Sequence, residues 1–234
     1  TVADELRKTY GNDVVFYHAG LGADNRLEIE RLFRDGGVRI VVATSAFGEG
    51  IDLPDVRDVV LYHLNFNFTE FNQQAGRAGR DGADARIHLL FGQDDRKLNN
   101  FIIDRASPTL TTLRQIYKGM RDLSRNSTLH MSAKDIVATL ELPATAQEET
   151  IAAAVRIFEE SGLVERGTDE DGKYVRFLPA RERVDLTKNE RFAEGEAERE
   201  NFARFAEFAF EASPDALEAV INRPIYPQNV PLLR

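Results

Sequence analysis

Short apolar runs rich in β-branched residues alternate with helical spacing through the first 95 residues, and this alternation constrains the fold more than any other feature. The run at 38–43 (VRIVVA) is typical of a strand buried on both faces. Similar runs lie at 13–17, 58–62 and 87–91, and a helical pattern covers 69–75. Strands alternating with helices predict an α/β fold, in which a parallel sheet has helices on both faces.

Two further helices are predicted near the start of the chain. Val2, Leu6 and Tyr10 are spaced four residues apart on a helix that Gly11 can end. Asp24 is the predicted N-cap of a second helix, which runs to about residue 34.

Two loops of this predicted fold have unusual chemistry, and functional loops of α/β folds lie at the carboxyl ends of the strands. The segment 44–54 (TSAFGEGIDLP) follows a strand and combines a hydroxyl, a carboxylate and glycines that let backbone approach a ligand. The segment 73–82 (QQAGRAGRDG) follows a helix and places Arg77 and Arg80 three residues apart among glycines. Two guanidinium forks held in this way are suited to phosphoryl groups. Alternatively, 73–82 is an ordinary turn whose arginines pair with Asp81 and Asp84.

Taken together, three motifs resemble a known family. YHAGL at 17–21, VATSAFGEGID at 42–52 and the 73–82 segment occur in the order and spacing of the second motor domain of superfamily 2 helicases. The RecQ type is the most similar. The resemblance covers residues 1–95 and implies a RecA-like domain that completes an ATP site shared with a first motor domain.

For the nucleotide, the resemblance implies roles for five residues. Arg80 is the implied arginine finger, and Arg77 is a second phosphate contact. Gln73 relays the nucleotide state, while Asp52 and Gly50 lie near the nucleotide. A finger of this kind stabilises the charge of the transferring phosphoryl group. Taken without the resemblance, Asp52 is equally explained as the cap of the following turn.

For DNA, the resemblance implies contacts to single-stranded or partly duplex DNA. Thr44 matches a hydroxyl that binds a phosphate of the tracked strand, and His18 and Gly20 lie on a loop that faces the same strand. Without the resemblance, Thr44 is a satisfied hydroxyl at a strand end and His18 is a packed histidine.

The sequence also departs from the family pattern. It contains no Walker A loop and no acidic Mg²⁺ motif, because both belong to the first motor domain, and the first strand of the second domain is missing. We therefore expect a piece of a longer protein, with ATP and Mg²⁺ as cofactors of the full-length protein, no metal bound by this chain and no hydrolysis by this chain alone. RecQ proteins usually continue into four zinc-binding cysteines, but this sequence has no cysteine.

Composition excludes several classes of protein. The formal net charge of −9 argues against coating nucleic acid through bulk charge. The sequence lacks an apolar run of the ~18 residues that a membrane span needs. Without cysteine, disulfides and thiol catalysis are excluded. We expect a soluble cytoplasmic protein with no membrane partner.

Charge varies among four segments of the chain, 1–91, 92–142, 143–191 and 192–234. Only the segment 92–142 is net positive, with 8 basic and 6 acidic residues. A helix predicted to begin near Asp94 places Leu98, Phe101 and Ile102 on one apolar face. A second helix after Pro108 has a polar side that could follow a phosphate backbone, through Arg114, Lys118 and Arg121. An ordinary solvated helix face explains this pattern equally well.

Residues 129–183 predict a winged-helix module, in which two helices precede a β-hairpin. The helices begin with capping boxes at 132–135 and 145–148, and the hairpin joins strands at 163–166 and 173–178. Glutamates dominate the second helix, so we expect it to repel a DNA groove rather than enter it.

The full prediction comprises a RecA-like domain at 1–95, a helical linker at 96–128, the winged helix at 129–183 and a helical tail at 184–234. Residues 110–234 also resemble the C-terminal extension of some bacterial RecJ-type single-strand-specific exonucleases. Two functions therefore remain open. One is part of a DNA repair or recombination helicase, with a nuclease core possible in the same polypeptide. The other is a non-catalytic DNA- or protein-binding module of a RecJ-like exonuclease.

Overall fold

The computed structural model describes residues 1–47, 56–179 and 184–221. Two compact units divide these residues. The first unit comprises the described residues of 1–61 and 72–89 together with Ile221, and the second comprises those of 62–71 and 90–220. The segment 62–71 therefore packs with the second unit, although it lies inside the region predicted to be helicase-like.

Helices and strands alternate through residues 1–89, as predicted. The elements are α1 (Val2–Tyr10), β1 (Val14–Tyr17), α2 (Ala23–Arg34), β2 (Ile40–Ala43), β3 (Asp58–Leu61), α3 (Phe68–Ala75) and β4 (Arg86–Leu89). Gly11 caps α1 as predicted, but α2 begins two residues before the expected position because Gly22, not Asp24, is its N-cap.

The strands pair in parallel, but the predicted continuous sheet is wrong for the described residues. β1 pairs only with β2, and β3 pairs only with β4. β2 is only partly buried instead of buried on both faces. Val60 in β3 is 52% exposed.

Helices dominate the remainder of the described chain. The elements are α4 (Gln93–Ala106), α5 (Leu110–Leu123), β5 (Thr128–Leu129), α6 (Ala133–Thr139), α7 (Glu148–Glu160), β6 (Val164–Asp169), β7 (Gly172–Phe177), α8 (Glu190–Glu211) and α9 (Pro214–Ala219).

The predicted order of two helices and a hairpin is present as α6, α7 and β6–β7. The sheet is antiparallel with the order β5-β7-β6. α5 belongs to the same core, because Leu113, Ile116 and Met120 are fully buried in one cluster with Ile151 and Phe158 of α7. The hairpin turn is tighter than predicted, since the strands extend to Asp169 and Gly172.

Two helices differ from the prediction, α7 in its N-terminal cap and α4 in the face that it buries. α7 is capped by a reciprocal pair between Gln147 and Thr150 instead of the predicted box at 145–148. On α4, Leu98 is 47% exposed, whereas Asn99 and Ile103 are buried. The Asn99 amide donates to the carbonyl of Leu64 at 2.7 Å, which turns the predicted apolar face outward.

Aromatic rings connect α8 to the 62–71 segment within the second unit. Phe205 is fully buried, with ring centroids 5.2 Å from Phe68 and 5.7 Å from Phe71. Phe208 lies 5.1 Å from Phe68. The phenylalanines of α8 therefore form a packing surface.

None of the helices in the described parts of the chain is both long and apolar enough to cross a membrane.

Candidate functional site

The first candidate site lies at the carboxyl ends of β1 and β2. Tyr17 and Ala43, the last residues of the two strands, are partners in the parallel register. His18 and Thr44 follow directly and are both exposed. The backbone N–H of Thr44 donates to the carbonyl of Tyr17 at 3.1 Å. The structure therefore brings the predicted DNA-contact residues His18 and Thr44 to one edge of the sheet.

The loop after β1 has a defined conformation. The backbone N–H of Gly20 donates to Nδ1 of His18 at 3.1 Å, and the His18 ring stacks on Phe16 with centroids 5.8 Å apart. A Cβ at residue 20 would lie only 3.0 Å from the same nitrogen, so glycine allows this close approach.

Tyr17 anchors the end of β1 from inside the first unit. Its side chain is 4% exposed, and its hydroxyl donates to Oε1 of Glu30 at 2.7 Å. Burial, with the added effect of the Glu30 carboxylate, raises the pKa of Tyr17. The tyrosine therefore stays protonated and holds the strand end against α2.

The second candidate site is the loop after α3, which carries both arginines of the 73–82 motif. Gln73 lies exposed in the last turns of α3, Arg77 is half-buried and Arg80 is exposed. Nε of Arg80 approaches the carbonyl of Gly76 at 3.4 Å. Gly79 has φ +62°, and a Cβ there would lie 2.7 Å from the carbonyl oxygen of Ala83, so this position requires glycine.

Asp81, the residue after Arg80, pairs with Arg57. The Arg57 guanidinium also donates to the carbonyl of Asp84 at 3.1 Å. The hydrogen bond from Arg57 is the main cause that lowers the pKa of Asp81, and the Ala83 N–H adds to it. The alternative prediction paired Asp81 with the arginines of its own motif, whereas the structure binds it to Arg57.

Asp52 and Gly50 lie outside the described residues, so their predicted positions near the nucleotide stay predictions.

The third candidate site is the polar side of α5. Arg114, Lys118 and Arg121 are exposed at spacings of four and three residues. Within the described residues, none of these three side chains has an ion-pair partner. Phosphate-binding cations need to be available in this way, although a solvated helix face has the same appearance.

One group in the described chain has the geometry to hold a metal ion. Nε2 of His130 lies 3.0 Å from both carboxylate oxygens of Asp169, and Asp171 is nearby. All three side chains are exposed, and the first two are already within hydrogen-bond distance of each other. The prediction that this chain binds no metal stays a prediction.

The residues that form the first two candidate sites lie in a part of the chain that matches a protein-family model. Residues 1–82 match the family model described as the helicase conserved C-terminal domain. They contain both glycine-rich segments and the Arg77–Arg80 pair. The first part of the chain is therefore similar to the C-terminal domain of helicases.

The relatives with similar sequences include RecQ-type DNA helicases. The chain is 40% identical over 105 residues to the human protein named ATP-dependent DNA helicase Q4, covering 44% of this chain and 9% of that protein. It is 33% identical over 117 residues to the probable ATP-dependent DNA helicase RecS of Bacillus subtilis, covering 50% of this chain and 24% of that protein. It is 39% identical over 90 residues to the ATP-dependent DNA helicase RecQ of the same organism, covering 38% of this chain and 15% of that protein.

The chain spans less than a quarter of the length of each of these relatives. Among solved structures, a DEAD box protein from Methanococcus jannaschii matches at 30% identity and a TM-score of 0.36, over 43% of this chain and 28% of that chain. That superposition is poor, so the similarity to helicases rests on the sequence matches. The family model ends at residue 82, and the resemblance of residues 110–234 to RecJ-type exonucleases stays a prediction.

Sequence reasoning missed two side chains that hold the site. Arg57 contacts a motif residue 24 positions away, and Tyr17 reaches Glu30 across 13 positions. Both contacts join residues far apart in sequence and depend on how the chain folds back on itself. The place of Arg57 directly before a predicted strand is the one sequence feature that could have directed attention to it.

Proposed function

We propose that this chain is the C-terminal part of an ATP-dependent DNA helicase that acts in DNA repair or recombination. The observation that carries the proposal is the arginine pair, which lies inside the helicase-type region on a loop held by Arg57 and Gly79. A binding module without ATP turnover does not need two guanidiniums on a rigid glycine-rich loop. Their donors match the oxygens of a phosphate chain.

In this proposal the chain contributes to an ATP site completed by a first motor domain. Arg80 stabilises the charge on the transferring phosphoryl group, and Arg77 binds a second phosphate oxygen. Gln73 relays the nucleotide state, and Asp52 and Gly50 lie near the nucleotide. Mg²⁺, held by the first motor domain, supplies charge neutralisation on the phosphates when ATP is bound.

DNA contacts are proposed on both units. At the edge of β1 and β2, the exposed hydroxyl of Thr44 and the loop of His18 and Gly20 face the tracked strand. On α5, Arg114 and its neighbours bind phosphates. The exposure of these side chains supports the assignment.

We also infer that the winged-helix module predicted at 129–183 has β6–β7 as its wing, and that α5 joins it as an additional helix at its start. The sheet order β5-β7-β6 and the common core of α5, α6 and α7 support this inference. α7 takes the place of the DNA-reading helix but is unsuited to that role. One side of α7 is buried in the core, and three of its glutamates form ion pairs with arginines: Glu149 with Arg105, Glu159 with Arg166 and Glu160 with Arg191.

The α5 surface is tested by replacing Arg114, Lys118 and Arg121 with glutamine in this chain. We expect weak binding to single-stranded DNA whose affinity falls steeply with salt. Each lost phosphate contact lowers the log–log salt slope by about 0.7, so the triple variant should lose about 2 units of slope. Fluorescence anisotropy over a salt series measures this slope.

A second triple variant controls for net charge. Lys8, Arg31 and Arg39 are exposed cations of the first unit, each with a carboxylate partner. Their replacement with glutamine removes the same charge and should leave the slope nearly unchanged. If both triple variants reduce the slope equally, the α5 surface has no special role in binding DNA.

A further inference from the structure

Both ends of the segment 79–86, which contains Arg80, meet at Val56 and Arg57. The backbone N–H of Gly79 donates to the carbonyl of Val56 at 3.0 Å. The N–H of Arg86 donates to the carbonyl of Arg57 at 2.8 Å, where β3 and β4 begin to pair. Residues 56 and 57 therefore form the base of the loop.

The Arg57 side chain then closes the loop from the same base. Its guanidinium pairs with the carboxylate of Asp81 and donates to the carbonyl of Asp84. A planar fork with several fixed donors can hold two acceptors at once, which a single ammonium group does less well. Arg57 is half-buried, so this contact is less screened than one in open solvent.

Asp81 connects the Arg57 side chain to the backbone next to Arg80. One of its carboxylate oxygens, Oδ2, binds Arg57, and the other, Oδ1, accepts the backbone N–H of Ala83 at 3.0 Å. The N–H of Gly82 donates to the carbonyl of Gly79 at 2.9 Å. The backbone on both sides of Arg80 is thus hydrogen-bonded. Arg57, which lies outside the loop, binds the carboxylate of Asp81.

We propose that Arg57 is a positioning residue for Arg80, acting through Asp81. Arg57 itself touches no reacting atom. It holds the loop in the conformation that directs the guanidinium of Arg80 toward a phosphate. The proposal rests on the function proposed above, since it assumes that Arg80 acts on ATP.

The first test measures the loop itself and does not depend on ATP hydrolysis. In this chain, Arg57→Gln should raise the amide hydrogen exchange rate of residues 76–85 by about tenfold or more, because these amides lose the contact that closes the loop. Arg86→Gln is the matched control, since Arg86 forms a two-bond pair with Asp58 on the same two strands without contacting Asp81. Equal exchange in the two variants would overturn the proposal.

The second test measures catalysis in the full-length helicase. Arg57→Gln should lower kcat for DNA-stimulated ATP hydrolysis by about 10- to 100-fold with little change in KM for ATP, because a misplaced finger costs rate more than binding. Arg57→Lys should recover part of the loss. Asp81→Asn should lower kcat similarly, and the double variant should lose no more than either single one.

The two tests separate the failure of this inference from that of the proposed function. If Arg80→Ala leaves ATP hydrolysis unchanged, the proposed function fails, while the exchange result still decides whether Arg57 holds the loop. If Arg80→Ala abolishes hydrolysis but Arg57→Gln matches Arg86→Gln in kcat, Arg57 is not a positioning residue.

Discussion

Replacing Arg80 with alanine is expected to lower DNA-stimulated ATP hydrolysis by the proposed full-length helicase by about 10³-fold or more. The guanidinium is proposed to stabilise charge that develops only in the transition state, so kcat should fall while DNA binding changes little. Arg80→Lys should also be poor, because an ammonium group lacks the fork that binds two phosphate oxygens. Steady-state ATPase rates and DNA anisotropy on the same preparations measure both quantities.

A matched control separates this role from a general effect of charge. Arg39 is an exposed arginine of the same unit that pairs with Asp13 at 2.6 Å, outside the glycine-rich loops. Arg39→Ala should leave ATP hydrolysis within about twofold. Wild-type hydrolysis in the Arg80→Ala variant would contradict the helicase proposal, and equal loss in both variants would mean that the effect is not specific to the finger.

Replacing Phe205 with alanine is expected to lower the free energy of unfolding by about 3–5 kcal/mol. Phe205 is fully buried and packs between Phe68 and Phe71, so alanine would leave a cavity lined by aromatic rings. Urea unfolding followed by circular dichroism measures the change. Phe205→Leu should cost less, since leucine fills part of the volume.

Tyr62 provides the control for this prediction. It lies in the same unit and is 52% exposed, so Tyr62→Ala should change the free energy of unfolding by less than about 0.5 kcal/mol. A loss below about 1 kcal/mol in Phe205→Ala would mean that α8 does not share a core with the 62–71 segment.

The sequence predicted local features well where a single pattern decides them. The caps of α1 and α6 are at Gly11 and Ser132, as expected from capping residues beside a helical pattern. The helix predicted after Pro108 is present as α5. Capping and periodicity act within a few residues, so they can be recognised without knowing the neighbours.

Predictions failed where the surroundings decide. On α4, spacing identified an apolar stripe correctly, but Ile102 is 43% exposed because Asn99 and Ile103 face the core. The strand at 38–43 was expected to be buried on both faces, yet β2 is only partly buried. A pattern shows which residues share a face but not what covers that face.

The sequence by itself determined the alternation of strands and helices, the motif that holds Arg77 and Arg80, and the likeness to RecQ-type helicases. These features depend on residue type and spacing along a few turns of chain. Only the tertiary structure decided that Arg57 binds Asp81 and that α8 packs on Phe68. Both contacts join residues far apart in sequence, and their formation depends on chain folding that brings the partners within reach.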